Sequence, residues 1–466
     1  MTRANLARKL RQTIPVLTSC LLLLGSAPAQ TFSVIYNIHR AEPNDENLIY
    51  AYPEILAQGR DGNIYGTAIG GGAHGDGGAY RVTPSGSFTT LFSFSGGDGS
   101  APFSGLTLGT DGNFYGGTAY GGIGAGTGQG TLFKLSPSGT LTVLYEFTDG
   151  SDGAEGTGLV EFTDGNFYGI TATGAYGGGG AFKLTPAGQL TMISHETYAL
   201  AAPVLGTDGN FYGTDGRSKV FKMTPGGKIT VLYSLCPINP VCSYGLYPIG
   251  PLVEGTDGTF YGTAQSGGPK GGGSVYQITT EGAFTLLHAF DSSQGSTDGY
   301  APSAGLVLAT DGSFYGVTAG GGLYQSGTIF KITSSGEYSQ LFSFASSGTG
   351  IFPLTTLLQH TNGKLYGHTP QSGTFGEGTI FSFDVGLAPF VGLLPASGKV
   401  GKTIGILGQG FTGTTAVAFN GTAATFHVVS DTSLTATVPN LATTGSVTVT
   451  TPSGILASKR QFVVTP

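Results

Sequence analysis

The 466-residue chain predicts an all-β protein: a seven-bladed β-propeller closed by its N-terminal strand, followed by an immunoglobulin-like β-sandwich. Three observations predict it. An Asp-Gly turn leading into an aromatic strand recurs seven times. The last copy lacks a fourth strand, while a matching strand precedes the first copy. From about Gly386 the motif stops and a Thr- and Val-rich pattern takes over.

The repeat anchor is Asp61-Gly62-Asn63-Ile64-Tyr65-Gly66, and it begins again at Asp111, Asp164, Asp208, Asp257, Asp311 and Asn362. In the second copy Gly105 to Leu108 precedes the turn and Phe114-Tyr115-Gly116 follows it. A glycine-rich connection then leads to Thr131 to Leu135, a Ser-Pro-Ser-Gly turn, and the alternating run Leu141 to Phe147. Asp-Gly and Pro-Ser-Gly supply the backbone angles that tight antiparallel connections need, so each copy reads as a four-stranded meander. Four-stranded units of about 40–50 residues hide their faces by stacking between neighbours, as propeller blades do. Adjacent aromatics such as Phe114 and Tyr115 point to opposite faces, which both must then be buried.

The seventh copy ends after Thr379 to Phe383, and Phe32 to His39 resembles the fourth strands of other copies, for example Phe88 to Phe94. A last blade that borrows the N-terminal strand closes the ring and leaves few free edges. The expected domains are a signal peptide at 1–29, the propeller at 30–385 and the sandwich at 386–466.

Residues 1–29 carry Arg3, Arg8, Lys9 and Arg11, an apolar run from Ile14 to Leu24, and a small-residue site ending at Ala29. This is the layout of a secretory signal cleaved after Ala29, so the mature protein is expected outside the cytoplasm. The run is too short to span a membrane, and no later segment approaches the required length. Asp and Glu (27) outnumber Lys and Arg (20), and no basic stripe is present, which argues against nucleic acid as a partner. A monomer is expected. Cys236 and Cys242 form an even pair in an exported chain and are expected to bond to each other.

The repeats, with Gly158-Leu159-Val160, Thr-Asp-Gly-Asn-Phe-Tyr-Gly and Phe182 to Gly188, resemble the GloVer tandem repeats of bacterial exported proteins across residues 32–385. The tail resembles IPT/TIG domains through Leu394 to Gly398, Gly408-Gln409-Gly410-Phe411, Val417 to Gly421 and Ala436 to Pro439. The first resemblance implies export without implying a reaction; the second implies a spacer or interaction module.

Whatever recurs in every copy builds the blade, so the repeated Asp and Tyr residues read as structural. Asn362 makes the same turn without a charge. The two hairpins of each copy share one face, which puts the glycine-rich loops and the crossings between copies on the other. Candidate ligand-binding residues there are Tyr120, Tyr176 and Tyr324 in the loops and Asp98, Asp149, Asp152, Glu155, Asp298 and Tyr300 in the crossings. Tyrosines and carboxylates beside glycine suit a sugar. The cluster Asp149, Asp152 and Glu155 is spaced loosely enough for calcium but does not match an EF-hand loop. No catalytic motif or cofactor signature is present. The expected function is non-catalytic binding of a glycan or protein at the loop-rich face. The alternative is a carbohydrate-active hydrolase or lyase using acidic loop residues.

Overall fold

The computed structural model describes residues 30–39, 48–49, 56–122, 129–148, 151–156, 158–173, 179–197, 201–237, 242–293 and 295–465. The expected signal segment lies outside these. Among the described residues there are strands and no α-helix, and the strands form small, almost wholly antiparallel sheets.

The repeats make seven sheets of the meander type. In the second copy the order is Thr107–Leu108, Phe114–Gly117, Thr131–Leu135 and Leu141–Glu146, each strand beside the next. The third copy adds a short strand, Ala154–Gly156, against the far end of Phe167–Thr173. In the seventh copy the fourth place is taken by Thr31–Asn37. That strand pairs antiparallel with Thr379–Asp384, with Phe32 opposite Phe383 and Val34 opposite Phe381.

The anchor motif explains why neighbouring copies stack. Its tyrosines, Tyr65, Tyr115, Tyr168, Tyr212, Tyr261, Tyr315 and Tyr366, are at most 2% exposed. Each of the first six donates its hydroxyl to the turn aspartate four residues earlier, as Tyr115 does to Asp111 at 2.9 Å. In the seventh the polarity reverses, and the Asn362 amide donates to Tyr366 at 2.9 Å. The same Asp111 accepts the Asn113 amide N–H at 3.0 Å, so one carboxylate closes the turn and holds the ring. Burial pushes the Asp111 carboxyl up, but these hydrogen bonds overcome it and hold it below the usual range.

Five of the rings then stack on the aromatic anchor residue of the next copy, as Tyr65 does on Phe114 at 4.1 Å, Tyr115 on Phe167 at 3.9 Å and Tyr212 on Phe260 at 3.9 Å between centroids, while Tyr315 and Tyr366 share clusters with Leu365 and Ile64. The anchor glycine is required by close approach. A Cβ on Gly116, Gly213 or Gly316 would fall within 3.0 Å of the third-strand Phe133, Phe221 or Phe330 ring. Tyr115→Phe is expected to cost about 1 kcal/mol, the usual net value of one hydrogen bond, in equilibrium urea unfolding.

Polar latches join the inner strands. Glu161 accepts from both the amide N–H and the hydroxyl of Thr110 in the preceding copy, at 2.7 and 2.5 Å. Glu254 takes the same pair from Thr207, and the Gln359 amide donates to Thr310 at 3.0 Å. The latch between first and last copies spans 303 residues: Gln58 donates to the Thr361 hydroxyl at 2.8 Å and accepts its N–H at 2.9 Å. Tyr366 and Ile380 share one apolar cluster with Leu56, Ile64 and Val82.

The C-terminal unit has two four-stranded sheets, one around Thr403–Leu407 and Ser433–Thr437, the other around Ala416–Phe419 and Val447–Thr451. Val391, Ile404, Phe411, Val417, Leu434, Val449 and Phe462 fill the space between. The Thr- and Val-rich runs between Gly and Pro turns form strands, among them Phe426–Ser430. Gly392–Leu394 and Gly454–Ala457 are edge strands whose sequences show no apolar and polar alternation.

This unit sits against the Asp-Gly turns. Thr432 donates to the Arg60 carbonyl at 2.7 Å, Gln409 donates to the Thr361 hydroxyl at 2.9 Å, and the Phe390 N–H donates to the Thr361 carbonyl at 3.1 Å. The turns it grips belong to the first and last copies. His360 lies between them, accepting the Asn362 N–H at Nδ1 and donating from Nε2 to the Gly62 carbonyl at 2.9 Å.

Candidate functional site

Both hairpins of every copy lie at one end of the sheets, and the glycine-rich loops and crossings lie at the other. The sandwich covers part of the hairpin end, so the loop-rich end is the open one.

The crossings share a construction that explains where their side chains go. Five carry a non-glycine residue with positive φ at the equivalent place: Ala101, Glu155, Tyr247, Ala301 and Phe352, between 51° and 57°. Each donates its N–H to a loop carbonyl of the preceding copy, as Tyr247 does to Arg217 at 2.9 Å and Phe352 to Ser326 at 3.0 Å. That tie offsets the cost of the left-handed backbone. Glu155 is therefore one of a structural series, and burial raises its carboxyl above the usual range.

The acidic candidates are engaged locally: Asp152 and Glu155 share one crossing, and Asp98 and Asp298 lie in two others. Asp98 accepts the Ser95 N–H at 2.8 Å and hydroxyl at 3.1 Å. Asp152 accepts from the Tyr145 hydroxyl at 3.0 Å and from the Thr148 N–H and hydroxyl at 2.9 and 2.7 Å. Burial pushes its carboxyl up, but these bonds win and hold it low. Asp298 faces His288 Nε2 at 3.1 Å, and Tyr338 stacks on that imidazole at 4.0 Å. Burial lowers the His288 pKa more than Asp298 raises it. Among the described residues no group of three His, Cys, Asp or Glu is gathered to hold a metal ion. Asp149 and Tyr176 lie outside the described residues. Cys236 and Cys242 are bonded to each other in the crossing after the fourth copy.

The aromatic candidates divide. Tyr300 is half-buried, its backbone bridged to Gly320 and its ring filling the place a Cβ there would take. Tyr120 and Tyr324 are each 57% exposed. Three further aromatics join them at this end: Tyr247 (49% exposed), Phe352 (38%) and Phe375 (51%), the last stacked on His39 at 3.9 Å. Sequence reasoning passed over these. A usable signal was present, because Tyr247-Pro248 and Phe352-Pro353 stand where other copies have Ala101-Pro102 and Ala301-Pro302. A large aromatic at a place that two other copies fill with alanine is not needed to build the repeat. Leu323, 66% exposed, lies beside Tyr324, so this end carries exposed apolar groups from several copies among glycines.

Comparison with known proteins follows the same division into repeats and sandwich. The Gloeobacter/Verrucomicrobia repeat model matches residues 26–218 and 199–426, and the IPT/TIG domain model matches residues 390–464. No match is found among curated proteins. Among solved structures, a fungal alcohol oxidase of the AA5 family in complex with copper is similar at 13% identity, over 92% of this chain and 100% of that one, with a TM-score of 0.50. The extracellular domain of a hybrid two-component system from B. thetaiotaomicron is similar at 10% identity, over 94% of this chain and 58% of that one, also with a TM-score of 0.50. At such identities the likeness is one of fold, and it spans an enzyme and an extracellular domain alike. From the tandem anchors and the C-terminal sandwich, the chain belongs to the Gloeobacter/Verrucomicrobia repeat family and ends in an IPT/TIG domain.

Proposed function

We propose that the chain is an exported, non-catalytic binding protein, a closed seven-bladed propeller whose loop-rich face engages a glycan. Closure is supported by the N-terminal strand in the seventh sheet and by the Gln58–Thr361 latch. The 236–242 disulfide supports an oxidising compartment, and no helix among the described residues is long and apolar enough to cross a membrane.

The observation that carries the binding reading is the set of exposed rings, Tyr120, Tyr247, Tyr324, Phe352 and Phe375, at the end the sandwich leaves open. Exposed aromatics on rigidly held loops suit the apolar faces of sugar rings, and their distribution over several copies suits a polymer better than a monosaccharide. Asp98, Asp152 and Asp298 stand in three different crossings and each is engaged by its own partners, which favours binding over the hydrolytic alternative.

An array of polysaccharides and peptides, run with a product assay, tests the reading. Retention of a polysaccharide is expected, with affinity reduced at least tenfold in Tyr324→Ala and Phe352→Ala and no change in unfolding midpoint. Peptide-only binding, wild-type affinity in both variants, or product release overturns it.

A further inference from the structure

Between the hairpin ends of the inner strands and the sandwich lies a cavity of about 940 Å³, in the size range of small-molecule sites. It is distinct from the loop-rich face, and its lining comes from both domains. The inner strands of the second to fifth copies supply half-buried apolar side chains, chiefly Leu108, Val160, Phe162 and Leu205. These arise from an alternation around the ring: leucine stands in the second, fourth and sixth copies where Gln58, Glu161, Glu254 and Gln359 stand in the others. The sandwich supplies the connection between Gly454–Ala457 and Val463–Val464, which brings Lys459 and Arg460 to the chamber.

The charges on the lining are not equivalent. Glu161 and Glu254 are occupied by Thr110 and Thr207, and Asp208 is paired with Lys222 at 2.9 Å. Their acceptor capacity is directed into the wall. Lys459 and Arg460 have no ion pair or side-chain hydrogen bond among the described residues; the Lys459 amine stands over the Phe390 ring at 5.2 Å. Arg460 is exposed and lines the chamber, and the opposite charge that acts on it there is the Glu254 carboxylate, already hydrogen-bonded to Thr207. Two adjacent cations are costly to hold together, and burial of the Lys459 amine first and Arg460 second push it down to about 7. An incoming anion would relieve the cost and satisfy the guanidinium fork.

We infer that the chamber binds a small organic anion with an apolar body, its anionic group held by Arg460 and Lys459 and its body lying against Leu108, Val160 and Leu205. A carboxylate with a hydrocarbon chain is the simplest member of that class. The ligand is recognised jointly by the two domains, so occupancy would also tighten the sandwich on the ring.

The chain contains no tryptophan, so Leu205→Trp places a lone indole in the wall as a local reporter. Titration of the Leu205→Trp chain with 8-bromooctanoate is expected to quench this indole saturably, while potassium bromide at equal concentration quenches it little. Adding Arg460→Gln should weaken the bromooctanoate at least tenfold, and 8-bromooctyl-trimethylammonium should not saturate. Isothermal titration of octanoate into the wild-type chain and into Arg460→Gln gives the same comparison without the reporter. Absence of saturable binding in both assays, equal affinity after Arg460→Gln, or equal binding of the cationic probe overturns the inference.

Discussion

Removing the N-terminal strand, residues 31–38, is expected to cause the largest loss of stability of any short deletion in the chain. Thr31–Asn37 supplies six registered partners to Thr379–Asp384, and without it that strand becomes an unpaired edge. Phe32 stacks on Phe342 at 4.1 Å and lies 5.1 Å from Phe381, linking the sixth and seventh sheets. Tyr36 stacks on Phe88 of the first sheet at 4.3 Å. The strand therefore bonds to the last sheet and packs against the sheets on both sides. Phe32→Asp alone is expected to cost about 3 kcal/mol in urea unfolding, the scale of losing a large packed ring. The deleted chain should aggregate or melt well below wild type, and a synthetic peptide of residues 30–39 should restore part of the midpoint when added in trans. A deletion that unfolds at the wild-type midpoint contradicts the seam described here.

Acid should destabilise the protein through histidines before it does so through carboxylates. His368 lies in the buried strand Leu365–Thr369, where other copies have Thr67, Thr214, Thr263 or Val317, and its Nδ1 has no hydrogen-bond partner. Burial pushes its pKa down to about 3. His360 is lowered too, by burial first and against its bond to the Gly62 carbonyl. A folded value below the unfolded one means that the unfolded chain binds more protons as pH falls. Stability is therefore full above the unfolded value of about 6.5 and is lost progressively toward the folded value. At pH 4 His368 alone should account for about 3 kcal/mol, since each pH unit below 6.5 costs about 1.4 kcal/mol. Asp208, held at about 2 with its Lys222 partner at 2.9 Å, adds its own loss only below about pH 4. Urea midpoints measured from pH 7 to 4 should slope in wild type and flatten substantially in His368→Val. An unchanged slope in that variant would remove His368 as the cause.

The sequence alone determined the parts of this protein that depend on neighbours along the chain. Asp-Gly and Pro-Ser-Gly turns are chemistry within four residues, so the meander of each copy and the strand periods could be read directly. The displaced strand could be read as well, because Phe32 to His39 carries the pattern of a fourth strand. Even the double duty of the anchor aspartate, turn closure and hydrogen bond to a tyrosine four residues on, was implicit in its spacing.

Only the tertiary structure decided what each end of the sheets presents. Asp98, Asp152 and Asp298 look alike in sequence as acids in crossings, yet Asp98 and Asp152 are turned onto their own loops and Asp298 onto His288 of the strand before it, and the exposed rings at Tyr247 and Phe352 follow from a backbone conformation held by the preceding copy. The sandwich's seat on Arg60 and Thr361, and the chamber that brings Arg460 toward inner strands some 200–350 residues earlier, arise from contacts between segments that share no local pattern. Local turn and strand preferences are encoded in adjacent residues, whereas the meeting of distant surfaces depends on how seven sheets and a sandwich pack together, and that geometry sets which charges are satisfied and which are left for a ligand.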